Sequence, residues 1–176
     1  RHSFPTRRSS DLDATALVGY ELATGRLFVV GLWAKPETAG REWRVPRSEV
    51  MAVIDQAFQR WTVTGLLADP WGWRSELQEL AQRYPTYVQE FNTAHRGRMG
   101  PATDSFLAAA MKGELRWDGN QQLRAHVLSA VALKTQAGDV LVKDARRPQL
   151  IDLAVASILS HEAARTIEAP VPVAIW

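Results

Sequence analysis

Two apolar runs of eight residues, 15–22 (TALVGYEL) and 26–33 (RLFVVGLW), are separated only by Ala23-Thr24-Gly25. Val, Leu and aromatic side chains in paired runs around a short glycine link predict a β-hairpin. A polar loop follows over residues 35–44. Pro46 and Ser48 then open a segment whose apolar residues are Val50, Val53, Ile54, Ala57, Phe58 and Trp61. That spacing marks one face of a helix. Residues 63–68 form a short apolar run halted by Asp69-Pro70, which reads as a buried strand ending in a turn.

The same periodicities continue. Helix is expected over residues 73–84, with Leu77, Leu80, Ala81 and Tyr84 on one face, and a short strand over 87–91. Residues 92–103 read as a basic loop, 104–113 and 121–130 as helices, and 150–165 as a long closing helix. A second hairpin is expected from 131–135 and 140–143, around Gln136-Ala137-Gly138-Asp139. Hairpin, helix, strand, helix, strand is the order of an α/β fold: a mixed sheet with helices on its faces. There is no internal repeat, and no GxxxxGK[ST] phosphate loop, so ATP hydrolysis is not expected of this segment.

The beginning of the chain is of another kind. Residues 2–12, HSFPTRRSSDL, read as a translated sequencing adapter, one frame of which gives TRRSSDL. The chain therefore divides into a foreign segment at 1–12, one domain at 13–167 and an extended tail at 168–176 (EAPVPVAIW). The pI of 9.2 suggests nucleic acid, but the basic excess lies in the foreign part. Without Arg1, Arg7, Arg8 and Asp11, the 21 basic and 19 acidic residues become 18 of each. Bulk charge is no argument for DNA binding here. No apolar run approaches the ~20 residues of a membrane span, so no membrane partner is expected. The absence of cysteine removes disulfides and thiolate metal sites from consideration.

Three aspartates stand where a sheet would display them. Asp69 follows a buried strand, and ligands in open α/β sheets bind beyond the carboxyl ends of strands; equally, Asp-Pro starts turns. Asp152 falls in the first turn of the closing helix, among the small residues Ala154, Ala156 and Ser157. There the helix dipole favours the ionised carboxylate, and an acid is also ordinary helix design. Asp13, just before the first strand, reads as a turn residue before a metal ligand. Arg96 and Arg98, with His95, and Lys143 at a strand end are candidates for touching phosphates. His126 reads as a packing or hydrogen-bonding residue. The four histidines show no HxxxH or HExxH spacing, so zinc hydrolysis has no support.

The segments DATALVGYEL, ADPWGWRSEL, GELRWDGNQQLRAHVLSAV and IDLAVASILSHEA, in that order, resemble the C-terminal nuclease domain of phage large terminase subunits. The similarity covers nearly all of residues 13–166. It implies an RNase H-like fold in which three acids hold two Mg²⁺ or Mn²⁺ ions. Two such cations ~3.5–4 Å apart stabilise the attacking and leaving oxygens of phosphodiester hydrolysis. Hard cations call for carboxylate oxygens. The resemblance maps the second acid to Asp69 and the third to Asp152. It places the first at the end of a central strand, roughly half a dozen residues ahead of DATALV, where this chain has Arg7, Arg8, Ser9 and Ser10.

What the resemblance implies is an endonuclease domain that cuts concatemeric double-stranded DNA during genome packaging, inactive as truncated here. Its implied partners are double-stranded DNA, the ATPase domain of the same subunit, the small terminase subunit and the portal. Its implied place is the host bacterial cytoplasm, at the procapsid. Two other readings stay open. One is another RNase H-like polynucleotidyl transferase, a transposase or integrase, although these often end on Glu and Glu162 lies too far along. The other is a non-catalytic module that binds DNA or portal.

Overall fold

The computed structural model describes residues 14–146 and 149–167. The expectations placed on residues 1–12, on Asp13 and on the 168–176 tail lie outside the described residues. Within them the chain is α/β, with five helices and seven strands in the described residues.

The first hairpin forms as expected: β1 (Ala14–Glu21) pairs antiparallel with β2 (Arg26–Ala34). Its turn closes through the Gly25 N–H on the Glu21 carbonyl at 2.9 Å. Gly25 has φ +69°, and a Cβ there would lie 2.2 Å from the Glu114 carbonyl oxygen, so only glycine fits. The register slips between Leu17 and Val18, leaving Val30 as an extra residue in β2. Ala16, Val18 and Tyr20 pack into one apolar cluster while Leu17 packs into another. The hairpin is therefore covered on both faces.

One cover is α1 (Arg47–Arg60), whose Val50, Val53 and Ile54 join Trp33 and Val45. The other is α5 (Asp152–Thr166), whose Leu153, Ile158, Leu159 and Ala163 form the centre of the main core. Leu153 and Ile158 are fully buried. Between the covers, β3 (Leu66–Ala68) and β4 (Val88–Glu90) run parallel and are joined by α2 (Arg74–Arg83). α5 touches β1, β2 and β3 alike.

The strands fall into three ladders, β1-β2-β5, β3-β4 and β6-β7, among the described residues. The sheet is interrupted between β1 and β3, where the resemblance puts the central strand whose place in the sequence the foreign segment takes. Three further differences have local causes. β5 (Arg116–Trp117) was not foreseen; it adds to β2 through Arg116 N–H on the Gly25 carbonyl and Asp118 N–H on the Leu27 carbonyl. Two residues carry no periodicity, so only the partner strand reveals them. α4 (Gln121–Leu128) ends two residues early because β6 (Ala130–Thr135) begins there, antiparallel to β7 (Gly138–Lys143).

The third difference is α3 (Arg96–Met111), which begins inside the expected basic loop. Pro101 lacks the N–H that would bond the Gly97 carbonyl, a defect that costs a helix interior. Packing outweighs it. Met99, Ala102, Thr103, Phe106 and Ala109 are buried, and Gly100 lies against the β6–β7 turn.

Candidate functional site

The break between β1 and β3 is a groove of about 1180 Å³, lined along its length by both strands and walled by α1 and α5. Asp69, just past the end of β3, and Asp152, the first residue of α5, both line it. Asp118 and Thr93 line it as well.

Asp69 is built in from three directions. Its Oδ1 accepts the Trp71 backbone N–H at 2.9 Å, so Asp-Pro-Trp makes the turn that the sequence suggested. Its Oδ2 accepts the Thr93 N–H at 3.2 Å and the Thr93 hydroxyl. The parallel pairing explains this meeting. Ala68 lies opposite Glu90, and Phe91 N–H bonds the Ala68 carbonyl at 2.8 Å, so the segments leaving both strands run side by side. Thr93 was missed because it is 24 residues away; the available signal was that residues beyond the ends of adjacent parallel strands meet.

Asp152 sits half-buried in the first turn of α5, with Oδ2 shut off from solvent. The aligned peptide dipoles of α5 favour its negative charge there. Its neighbour Leu153 donates its N–H to His126 Nδ1 at 3.1 Å, which places the imidazole proton on Nε2 in the neutral ring. Burial lowers the His126 pKa below 6.5; the Asp152 charge opposes this and the Lys143 charge adds to it. His126 is therefore a hydrogen-bonding residue, as expected, and it holds the start of the helix that carries Asp152.

The basic candidates are elsewhere. Arg98 stacks over the Phe91 ring, 4.3 Å from its centroid, and donates to the Glu90 carbonyl at 3.3 Å. Arg96 stands beside residues 133–137 of the second hairpin. Lys143 closes β7 opposite Ala130. None of the three lines the groove with Asp69 and Asp152. Glu162 is nearly three turns further along α5, joined to Arg165 at 3.2 Å, and does not line it either. Asp118, not foreseen, bends its Oδ2 back to the Val29 N–H at 3.3 Å and so extends the short β5 contact.

Asp69 and Asp152, among the carboxylates that line the groove, supply hard oxygen donors of the kind Mg²⁺ or Mn²⁺ prefers. They do not complete a two-metal centre: among the described residues, no group of three His, Cys, Asp or Glu side chains comes together to hold a metal ion. No helix among them is long and apolar enough to cross a membrane.

Comparison with known proteins identifies phage relatives. The chain is 30% identical over 167 residues to the Gene 13 protein of Mycobacterium phage D29, and 29% identical to that of Mycobacterium phage L5. Each match covers 88% of this chain and 28% of the relative, so the chain spans under a third of their length. No protein-family model matches the chain, and no solved structure does.

Proposed function

We propose that this chain is the nuclease domain of a phage DNA-packaging large terminase subunit, carrying two of the three acids of a Mg²⁺- or Mn²⁺-dependent centre. The observation that carries the reading is that Asp69 and Asp152, 83 residues apart in sequence, line one groove at the break in the sheet. The phage origin of its relatives supports the setting, and their far greater length leaves room for an ATPase domain. Double-stranded DNA is the substrate on this reading. The small terminase subunit and the portal are the partners, at the procapsid in the host cytoplasm.

The roles follow from the side chains present. The turn at Trp71 and the two donors of Thr93 hold the Asp69 carboxyl group in place. The α5 N-terminus favours negative charge at Asp152. A third acid has to come from outside the described residues, and when bound the metal pair would supply charge stabilisation of the phosphodiester oxygens. On this reading the chain as it stands does not cut DNA.

The test replaces residues 2–12 with an apolar strand ending in Asp-Gly-Ser. That protein should cut duplex DNA when Mg²⁺ or Mn²⁺ is added, and Asp69→Asn or Asp152→Asn should each abolish cutting. Equal cutting by the strand-bearing protein and by its form with both Asp69→Asn and Asp152→Asn would remove the assignment.

A further inference from the structure

We propose that Thr93 sets how Asp69 meets a divalent cation: it engages Oδ2 and leaves Oδ1 as the single coordinating oxygen, which favours Mg²⁺ over Ca²⁺. This role of Thr93 rests on the reading above, in which Asp69 holds a metal ion, and adds a selectivity-determining residue to it.

An ionised carboxylate has roughly four lone-pair positions, two on each oxygen. At Asp69 the two oxygens are used unequally. Oδ2 receives two donors from one residue, the Thr93 N–H at 3.2 Å and the Thr93 hydroxyl. Both of its positions are taken. Oδ1 accepts the Trp71 N–H at 2.9 Å and no other donor among the described residues. Pro70, between the two in sequence, has no N–H to add. One position on Oδ1 is therefore open, and Asp69 lines the groove.

The segment that carries Thr93 is held on both sides. Phe91 N–H bonds the Ala68 carbonyl at 2.8 Å, and Asn92 Oδ1 accepts the Ala94 N–H at 2.9 Å. Arg98 covers the Phe91 ring and donates to the Glu90 carbonyl at 3.3 Å. Thr93 thus stays against Oδ2.

The number of oxygens a carboxylate offers distinguishes hard cations. Mg²⁺ demands near-octahedral geometry at about 2.0–2.1 Å and keeps several waters, so one carboxylate oxygen suits it. Ca²⁺ takes roughly 6–8 oxygens at about 2.3–2.6 Å and accepts both oxygens of one carboxylate. Without the Thr93 hydroxyl, Oδ2 regains a lone pair and Asp69 can offer both oxygens. Ca²⁺ gains from that change and Mg²⁺ does not.

The experiment uses the 176-residue chain with Mn²⁺ as a paramagnetic probe. Mn²⁺ should broaden the Trp71 amide signal in NMR spectra, and Asp69→Asn should abolish the broadening. Mg²⁺ or Ca²⁺ is then added until half of the broadening is reversed. Thr93→Val should move the ratio of those two concentrations about tenfold in favour of Ca²⁺, the lower end of the effect that partners of metal ligands have on affinity. Thr93→Ser keeps both donors and should keep the wild-type ratio. Thr93→Ala, smaller than Val, should reproduce the shift in a chain with less crowding at that position. An unchanged ratio in the Val and Ala variants, a Ser variant shifted as far as they are, or no broadening at Trp71 in the wild type would overturn the proposal. DNA is absent throughout, so the two readings fail separately. Cutting by the strand-bearing protein with an unchanged ratio would remove the role of Thr93 and leave the nuclease assignment; a shifted ratio without cutting would do the reverse.

Discussion

Thr93 gives both its backbone N–H and its hydroxyl to Oδ2 of Asp69, across 24 residues of sequence. A hydrogen bond to a charged acceptor contributes about 1.5–3 kcal/mol when well protected, and this one is part-buried, so the lower end applies. Thr93→Val keeps the shape and the backbone bond and removes the hydroxyl. We expect a loss of about 1–2 kcal/mol, read as a fall in Cm at constant m in urea unfolding. An unchanged midpoint would mean that the hydroxyl does not hold Asp69 in solution.

His126 and His161 both titrate below the ordinary value of 6.5, chiefly because they are buried. Arg165 pushes His161 further down, while Glu162 and Glu114 oppose it. Below pH 6.5 the unfolded chain therefore binds more protons than the folded one. The contribution of each histidine is full above 6.5 and is lost as the pH falls through the folded value, with a slope of at most ~1.4 kcal/mol per pH unit per group. Tm should drop between pH 7 and pH 5. His161→Phe keeps a ring against Tyr20 and Phe106 and should shrink that drop. A drop of the same size in the variant would exclude His161 as a contributor.

The joint between α1 and α2 rests on Asp55, which accepts the Tyr84 hydroxyl at 2.7 Å and pairs with Arg83. Burial pushes the Asp55 carboxyl up, but those two partners outweigh it and hold it below 3.8. Its contribution is full above 3.8 and is lost as the pH falls through the lower, folded value. Tyr84 also stacks on Phe58, ring centroids 3.8 Å apart. Tyr84→Phe should cost about 1 kcal/mol, the hydroxyl bond alone. Tyr84→Ala should cost roughly 2–4 kcal/mol, since the stack goes too. Equal costs in chemical denaturation would deny the stack any role.

Gly100→Ala sets two effects against each other. Within a helix, Ala is favoured over Gly by about 1 kcal/mol. But a Cβ at Gly100 would come within 2.3 Å of the Ala137 carbonyl oxygen and 2.8 Å of its carbon, both backbone. Overpacking of this sort costs about 1–3 kcal/mol, so the variant should melt lower than the wild type. A higher Tm would show that α3 and the β6–β7 turn are not in contact.

Where the apolar period was regular, the sequence was enough. Val50, Val53 and Ile54 predict α1, Leu77 and Leu80 predict α2, and the two eight-residue runs predict the first hairpin. It failed where contacts distant in sequence decide. Gly97, Gly100 and Pro101 look like a loop, and they are helical because Met99, Ala102 and Thr103 are buried and the hairpin turn needs Gly100's bare backbone. Asp69 and Asp152 could be singled out because a strand end and a helix start are visible locally. Thr93 and Asp118 could not, since each acts on a strand far from it in sequence. The break between β1 and β3 was legible only through the resemblance, which puts a central strand between the first hairpin and residues 63–68, because strand pairing is not written in hydrophobic pattern.

α5 has a consequence for synthesis. The β1–β2 hairpin and the β3–β4 pair meet α5, and α5 also meets α3 and α4. Yet it spans Asp152–Thr166, near the end of the described chain. On the ribosome, every earlier element emerges before the helix that unites them, at ~5–20 residues per second, so assembly of this core waits for its last piece. Until then, the apolar sides of the strands are nascent surfaces for chaperones to shield. A ribosome stalled before residue 152 would present separate ladders without a common interior.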